Sequence, residues 1–218
     1  MKTKIFCGFF ILSALIILLC SCQSWTGTED PNMSDTSTQA LTQNAEHEIK
    51  EMQARVLTEQ IVTFVMTEDW LNREYALSET DYFRFLNSLS LYMEDTEHPF
   101  SKYVRRSEEK SADLISAVDV RQILADLFDD KEFVSSAYYA NNFGDSNADF
   151  YVPLGIGLWT SPFEASDMTT EMIEDTILVR CTLAETSLYE TNGRIYGKCE
   201  FRYIADPTLR FVGFEYYG

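Results

Sequence analysis

The hydrophobic pattern predicts an α+β chain: N-terminal helices, about three or four, packed on a C-terminal antiparallel sheet of about four strands. Three observations carry this. Apolar residues recur at helical steps between Ala45 and Asn141. Ser78-Glu79-Thr80-Asp81 and Ser116-Ala117-Val118-Asp119 have the serine-to-acid spacing of a capping box. Beyond Gly144 the period falls to about 2, and Val, Ile, Thr and aromatic residues take over.

Ahead of the helices lies a segment of another kind. Lys2 and Lys4 give a positive start, Ile5 to Leu19 an apolar run, and Leu19-Cys20-Ser21-Cys22 a small-residue exit, the three-part plan of a secretory signal. A spanning helix needs about 20 apolar residues, and Ser, Thr and Gly follow this run almost at once, so residues 1–21 are expected to be an exported leader. Leu19-Cys20-Ser21-Cys22 also resembles the lipobox of bacterial lipoproteins, with an aliphatic residue three before the modified cysteine and a small one directly before it. The match falls on Cys22, because taking Cys20 would put Leu19 where the small residue belongs. The resemblance implies that Cys22 is diacylated and becomes the mature N-terminus, and that the protein is anchored in the membrane of the bacterial cell envelope, facing outside the cytoplasm. Several acyl chains on one cysteine hold a protein firmly where a single chain binds reversibly.

Residues 22–44 are expected to be the lipidated cysteine and a disordered tether. Ser24 to Asn44 is rich in Ser, Thr, Asp, Gly and Pro and has no apolar period. A flexible linker of about 20 residues holds a domain on the order of 25 Å from its anchor. Residues 45–218 then form a single α+β domain, helical over 45–142 and sheet over 149–218.

Composition narrows the partners. The chain has 218 residues, 17 Lys and Arg against 35 Asp and Glu, and a formal charge of −18. Losing Lys2 and Lys4 with the leader makes the mature chain two charges more negative. Such a balance repels nucleic acid and an anionic lipid surface, and favours a solvated face or a basic partner.

In the helical half, Ile49, Met52, Val56, Leu57, Ile61, Phe64 and Val65 line one face of a long helix ending near Trp70–Asn72. The helix after Ser78 presents Tyr82, Phe85, Leu86, Leu89 and Met93, and the two faces should pack as an antiparallel hairpin. His98-Pro99-Phe100 and SKYVRRSEEK break the period; Lys102, Arg105 and Arg106, followed by Glu108 and Glu109, read as a solvated loop. The third helix carries Val120, Ile123, Leu124, Leu127 and Phe128 and stops at Asp129-Asp130, with a further short piece at Lys131 to Asn141.

Four strand regions follow: Phe150 to Trp159, Ile177 to Glu185, Arg194 to Ala205, and Leu209 to Tyr217, the last slipping its alternation near Gly213 as a bulge would. A two-residue turn at Asn192-Gly193 would set the Cys181 face opposite the Lys198 face. The apolar faces agree only with an odd loop or a bulge, and both cysteines then point inward. A register centred near Glu190 would set Cys181 directly across from Cys199. Either a disulfide or two buried thiols satisfies this pattern, in a compartment that permits the bridge.

Chemistry-bearing motifs are sparse. Asp145, Asn147 and Asp149 have the opening spacing of an EF-hand loop, but Phe150 and Ile156 stand where glycine and the bidentate glutamate belong. They remain a weak calcium candidate, and no metal or cofactor is otherwise expected. His47 and His98 have no second histidine at metal spacing, and no phosphate loop, dinucleotide glycine pattern or nucleophile elbow occurs. Glu171, Glu174 and Asp175 read as a solvated turn before a strand. Tyr138, Tyr139, Phe150, Tyr151, Trp159, Phe163, Tyr203, Phe211, Phe214, Tyr216 and Tyr217 read first as core and sheet surface, and otherwise as a concave face for a sugar or peptide.

By element order, the helices followed by ILVRCTL, IYGKCEFRY and LRFVGFEYY loosely resemble the small cystatin- and NTF2-type modules of exported bacterial proteins. That resemblance implies binding or scaffolding more than catalysis. The expected function is therefore a non-catalytic binding or interaction module at the envelope, taking a protein, peptide or glycan partner. A cell-wall hydrolase with paired carboxylates and a structural lipoprotein scaffolding a membrane complex are the alternatives; the first predicts two acids converging in a cleft, the second an apolar patch on an acidic surface.

Overall fold

The computed structural model describes residues 34–72, 76–108, 112–130, 133, 150–151, 161–186, 194–205 and 207–218. The chain divides after Thr42, and the architecture below is that of the unit Gln43–Gly218. The leader, Cys22, and the calcium candidates Asp145, Asn147 and Asp149 lie outside the described residues. Among the described residues no helix is long and apolar enough to cross a membrane.

The expected class is the observed one: helices precede and pack on a four-stranded antiparallel sheet. Helix α1 spans Ser34–Gln60, so it begins ahead of Ala45 and takes in the C-terminal part of the expected tether. Gln39, Ala40, Leu41 and Gln43 are good helix formers, and elongating an existing helix adds one hydrogen bond per residue ordered. Its apolar stripe is shorter than the pattern predicts: Ala54 and Leu57 are buried, whereas Ile49 is exposed.

The first helix does not run unbroken to Asn72. Ile61–Val65 is a π turn, closed by the Met66 amide on the Ile61 carbonyl at 2.9 Å, and Glu68–Leu71 is a separate 3-10 turn. Consecutive β-branched residues, Ile61, Val62 and Thr63, disfavour the tighter α turn. The displaced carbonyls find other partners: Thr63 accepts from the Ser161 amide at 2.8 Å and Val65 from Arg84 Nη1 at 3.3 Å. The break thus joins α1 to the sheet entry and to the next helix.

Helix α2, Glu79–Ser88, starts where its capping box predicts, with Asp81 accepting from the Ser78 amide and hydroxyl, each at 2.7 Å. It packs against the π turn, and its Phe85 and Leu86 are buried. The expected loop after His98 is structured instead: Ser101–Tyr103 is a 3-10 turn, and β1 (Arg105–Ser107) pairs with β2 (Ala112–Ser116). Cross-strand pairing and the Arg106–Asp113 ion pair at 2.9 Å order a segment whose sequence lacks an apolar period. Helix α3, Ala117–Phe128, is capped by Ser116 Oγ, which accepts from the Asp119 amide at 3.0 Å; it ends in left-handed Asp129. Of the short piece after it, Phe133 alone is described, and it is buried.

The expected first strand contributes only β3, Phe150–Tyr151, which pairs with β2 in a small second sheet; residues 152–160 lie outside the described residues. The main sheet gains a strand outside the four expected regions, β4 (Phe163–Ile173), followed by β5 (Thr176–Glu185), β6 (Ile195–Ile204) and β7 (Arg210–Tyr217), in that spatial order. As an edge strand, β4 needs no apolar face along its whole length, and only Phe163 in it is buried. Glu171 therefore sits in a strand, and Glu174-Asp175 forms the hairpin turn closed by Ile173 opposite Thr176.

Register settles the hairpin parity. Residues of β5 and β6 pair about position 190, with Cys181 opposite Cys199, and a bulge at Tyr196 shifts the register beyond Leu183. The inner face carries Ile177, Val179, Cys181, Leu183, Cys199, Phe201 and Tyr203, all buried. Thr58 of α1 meets this face through its hydroxyl, 2.8 Å from the Tyr203 hydroxyl. The last strand bulges at Val212, beside Gly213, as its alternation predicts.

Candidate functional site

The site is built where the broken first helix, α2, α3 and the bulged last strand meet. Trp70 sits in the 3-10 turn after the π turn and is 2 % exposed. Its indole N–H donates to Asp81 Oδ1 at 3.1 Å, while Asp81 Oδ2 holds the start of α2. One carboxylate therefore fixes both the aromatic and the helix that flanks it.

Around Trp70 lies a cleft of about 420 Å³. Phe214 meets the indole edge-on at 5.6 Å, and Phe211 lies 6.3 Å away, both from β7. Tyr82 of α2 and Phe128 of α3 form the opposite wall, 5.3 Å apart. The β7 bulge leaves Val212 47 % exposed at the mouth, and a Cβ built on Gly213 would meet no atom within 4 Å. Tyr82 carries the hydroxyl of this lining: burial first, and then the carboxylate of Asp130, push its phenol up to about 12. Such a lining suits an apolar group.

No protein-family model, curated protein or solved structure matches this chain. What the site can do is therefore argued from its own residues.

The predicted aromatic surface divides. Phe211 and Phe214 line the cleft, whereas Phe163 and Tyr203 are core, and Tyr216 donates to the Tyr196 carbonyl at 2.6 Å. Tyr217 is 53 % exposed. The side chains of Tyr138, Tyr139, Phe150, Tyr151 and Trp159 lie outside the described residues. Trp70, Tyr82 and Phe128 were not among the expected site residues. Tyr82 and Phe128 read as ordinary helix faces, and only the polar stretch after Trp70 hints that it closes no further helical turn.

The basic cluster also divides. Lys102 lies over the Tyr103 ring at 4.9 Å and, with Lys50, lines a second cleft of about 230 Å³. Arg105 and Arg106 belong to β1.

Among the described residues, acids gather on the outer face of the sheet. Arg180 bridges Glu171 and Glu200 at 2.7 Å each, and Arg202 bridges Glu200 at 2.9 Å and Glu215 at 2.7 Å. A hydrogen bond from Tyr217, and then Arg202, hold the Glu215 carboxyl below its usual range. The alternating charges form a ladder across all four strands.

His98 is buried in a relay. Its Nδ1 accepts from the Phe100 amide at 3.2 Å, which leaves the proton on Nε2 to donate to Gln60 Oε1 at 2.6 Å. Gln60 Nε2 donates to Ser88 Oγ, and Ser88 donates to the Phe85 carbonyl at 2.7 Å. Burial lowers the imidazole pKa to about 4, with Asp95 opposing. Each member already serves another, so the relay ties α1 to α2 and the His98 turn. Among the described residues no group of three or more His, Cys, Asp or Glu could hold a metal ion.

Proposed function

We propose that this chain is a lipid-anchored binding module of the bacterial envelope, whose aromatic cleft takes an apolar side chain from a basic peptide segment of a partner protein. The cleft around Trp70 carries the reading, because it sets five aromatic residues in one concave surface of a protein of charge −18. A partner with a Phe or Leu beside Arg or Lys would bury its apolar group against Phe214 and Trp70 and set its charge near Asp130. The acidic field would speed encounter with such a segment at low ionic strength. The leader and the lipobox-like Leu19-Cys20-Ser21-Cys22 support location, placing the module outside the cytoplasm on acylated Cys22.

Two measurements test the two parts. Full-length protein in detergent is titrated with the capped tripeptides Arg-Phe-Arg, Arg-Ala-Arg and Glu-Phe-Glu while tryptophan fluorescence is followed. Arg-Phe-Arg should bind best, and Phe214→Ala, which removes an aromatic wall of the cleft, should reduce its advantage. Equal binding of all three, or indifference to Phe214→Ala, would sink the cleft reading. For location, intact mass of protein from native membranes should show diacylglycerol on a chain starting at Cys22, absent from Cys22→Ala. An unmodified chain starting at Met1 would remove the anchor.

A further inference from the structure

We propose that Cys181 and Cys199 are oxidised to a cross-strand disulfide, and that the bond is made before the helices cover the sheet, not in the folded protein. The two residues are directly opposed on neighbouring strands, with their Sγ atoms 3.2 Å apart. Opposed residues in an antiparallel pair have Cα atoms about 4.5–5.5 Å apart, inside the span of about 4.4–6.8 Å that disulfides bridge. Closing this pair therefore asks for side-chain adjustment and not for movement of the strands.

Burial decides when it closes. Cys181 is 4 % and Cys199 1 % exposed, on the face that also carries Phe201 and Tyr203. Tyr203 is held by Thr58 of α1, and the bulge of β4 at Asp167 and Met168 sits opposite Cys181 on its other side. A disulfide-bearing oxidant must place its own sulfur in line with an attacking thiolate, and the folded core leaves no approach. In the open chain one cysteine thiolate attacks a sulfur of the oxidant and expels the oxidant's other sulfur as a thiolate. The second cysteine thiolate then attacks the protein-side sulfur of the mixed disulfide, forming the Cys181–Cys199 bond and releasing the oxidant's remaining thiolate. The two cysteines lose two electrons and two protons, and the oxidant's disulfide gains the electrons.

Oxidation in the cell rests on the extracytoplasmic reading; closure in vitro does not. Full-length protein from native membranes is unfolded without reductant, blocked with N-ethylmaleimide, digested and weighed. The peptides bearing Cys181 and Cys199 should be linked, and should react with maleimide only after reduction. Both alkylated before reduction on a chain acylated at Cys22 overturns the proposal and leaves the location standing. Both alkylated on a chain with bare Cys22 sinks the location, and the second arm then decides. There, reduced full-length chain is diluted from urea into oxidised and reduced glutathione, where the linked peptide should form; its absence overturns the proposal. Folded, reduced chain in the same buffer should close at least about tenfold more slowly. Equal rates would overturn the order of events.

Discussion

Asp81 joins Trp70 to the start of α2: one oxygen accepts the indole N–H at 3.1 Å and the other accepts the Ser78 amide at 2.7 Å. The carboxylate is 2 % exposed, so its bonds form away from competing water. The cleft wall and the helix that flanks it are consequently coupled. Replacing Asp81 by Ala should destabilise the fold by about 1–3 kcal/mol, since donors are left in a buried place. In a cycle with Trp70→Phe, the coupling should reach about 0.5–1.5 kcal/mol by urea unfolding. Additive losses would show that the two residues act independently.

Thr58 and Tyr203 make the corresponding join between α1 and the sheet. Tyr203→Phe should cost about 1 kcal/mol, because the Thr58 hydroxyl loses a buried partner. Thr58→Val in the same chain should recover part of that loss, because no polar group then remains to satisfy. Equilibrium denaturation of both single variants and the double variant reads this directly.

His98 gives the fold a dependence on pH with a defined sign. Its pKa is about 4 in the folded chain against an ordinary 6.5, so the unfolded chain takes up the proton first. Stability from this group is complete above about pH 6.5, falls as pH drops toward 4, and levels off below; the total is on the order of 3 kcal/mol. Urea midpoints from pH 7 to pH 4 should fall more steeply for the native chain than for His98→Gln, which removes the titration. Parallel curves would assign the acid sensitivity to carboxylates.

Gly213 offers the complementary case, a position opposite Arg202 where an added side chain leaves the fold intact. A side chain there meets open space, and β-strand positions favour a larger residue over glycine. Gly213→Leu should therefore hold stability within about 0.5 kcal/mol of the native chain or raise it. A Tm well below that of the native chain would mean that the bulge needs glycine for its backbone.

Periodicity and local caps are properties of neighbours in sequence, and they alone determine the α+β class, the starts of α2 and α3, the stop at Asp129 and the bulge beside Gly213. A serine placed three residues before an acid makes its helix start whatever packs above it, as Ser78 and Ser116 do. A period of 2 allows only one face of β5 and β6 inward, but the register about position 190 and the bulge at Tyr196 came from the pairing itself. Tertiary structure decided the rest. An edge strand such as β4 is held by its partner's hydrogen bonds, so its own residues carry almost no apolar signal. The carbonyls of Thr63 and Val65 in the π turn find their partners on Ser161 and Arg84, far along the chain. The cleft is likewise a meeting of residues that are each ordinary in their own segments: Trp70, Tyr82, Phe128 and Phe214 become a site only once four elements converge. Proximity of that kind depends on the path of the backbone through space, which no local pattern encodes.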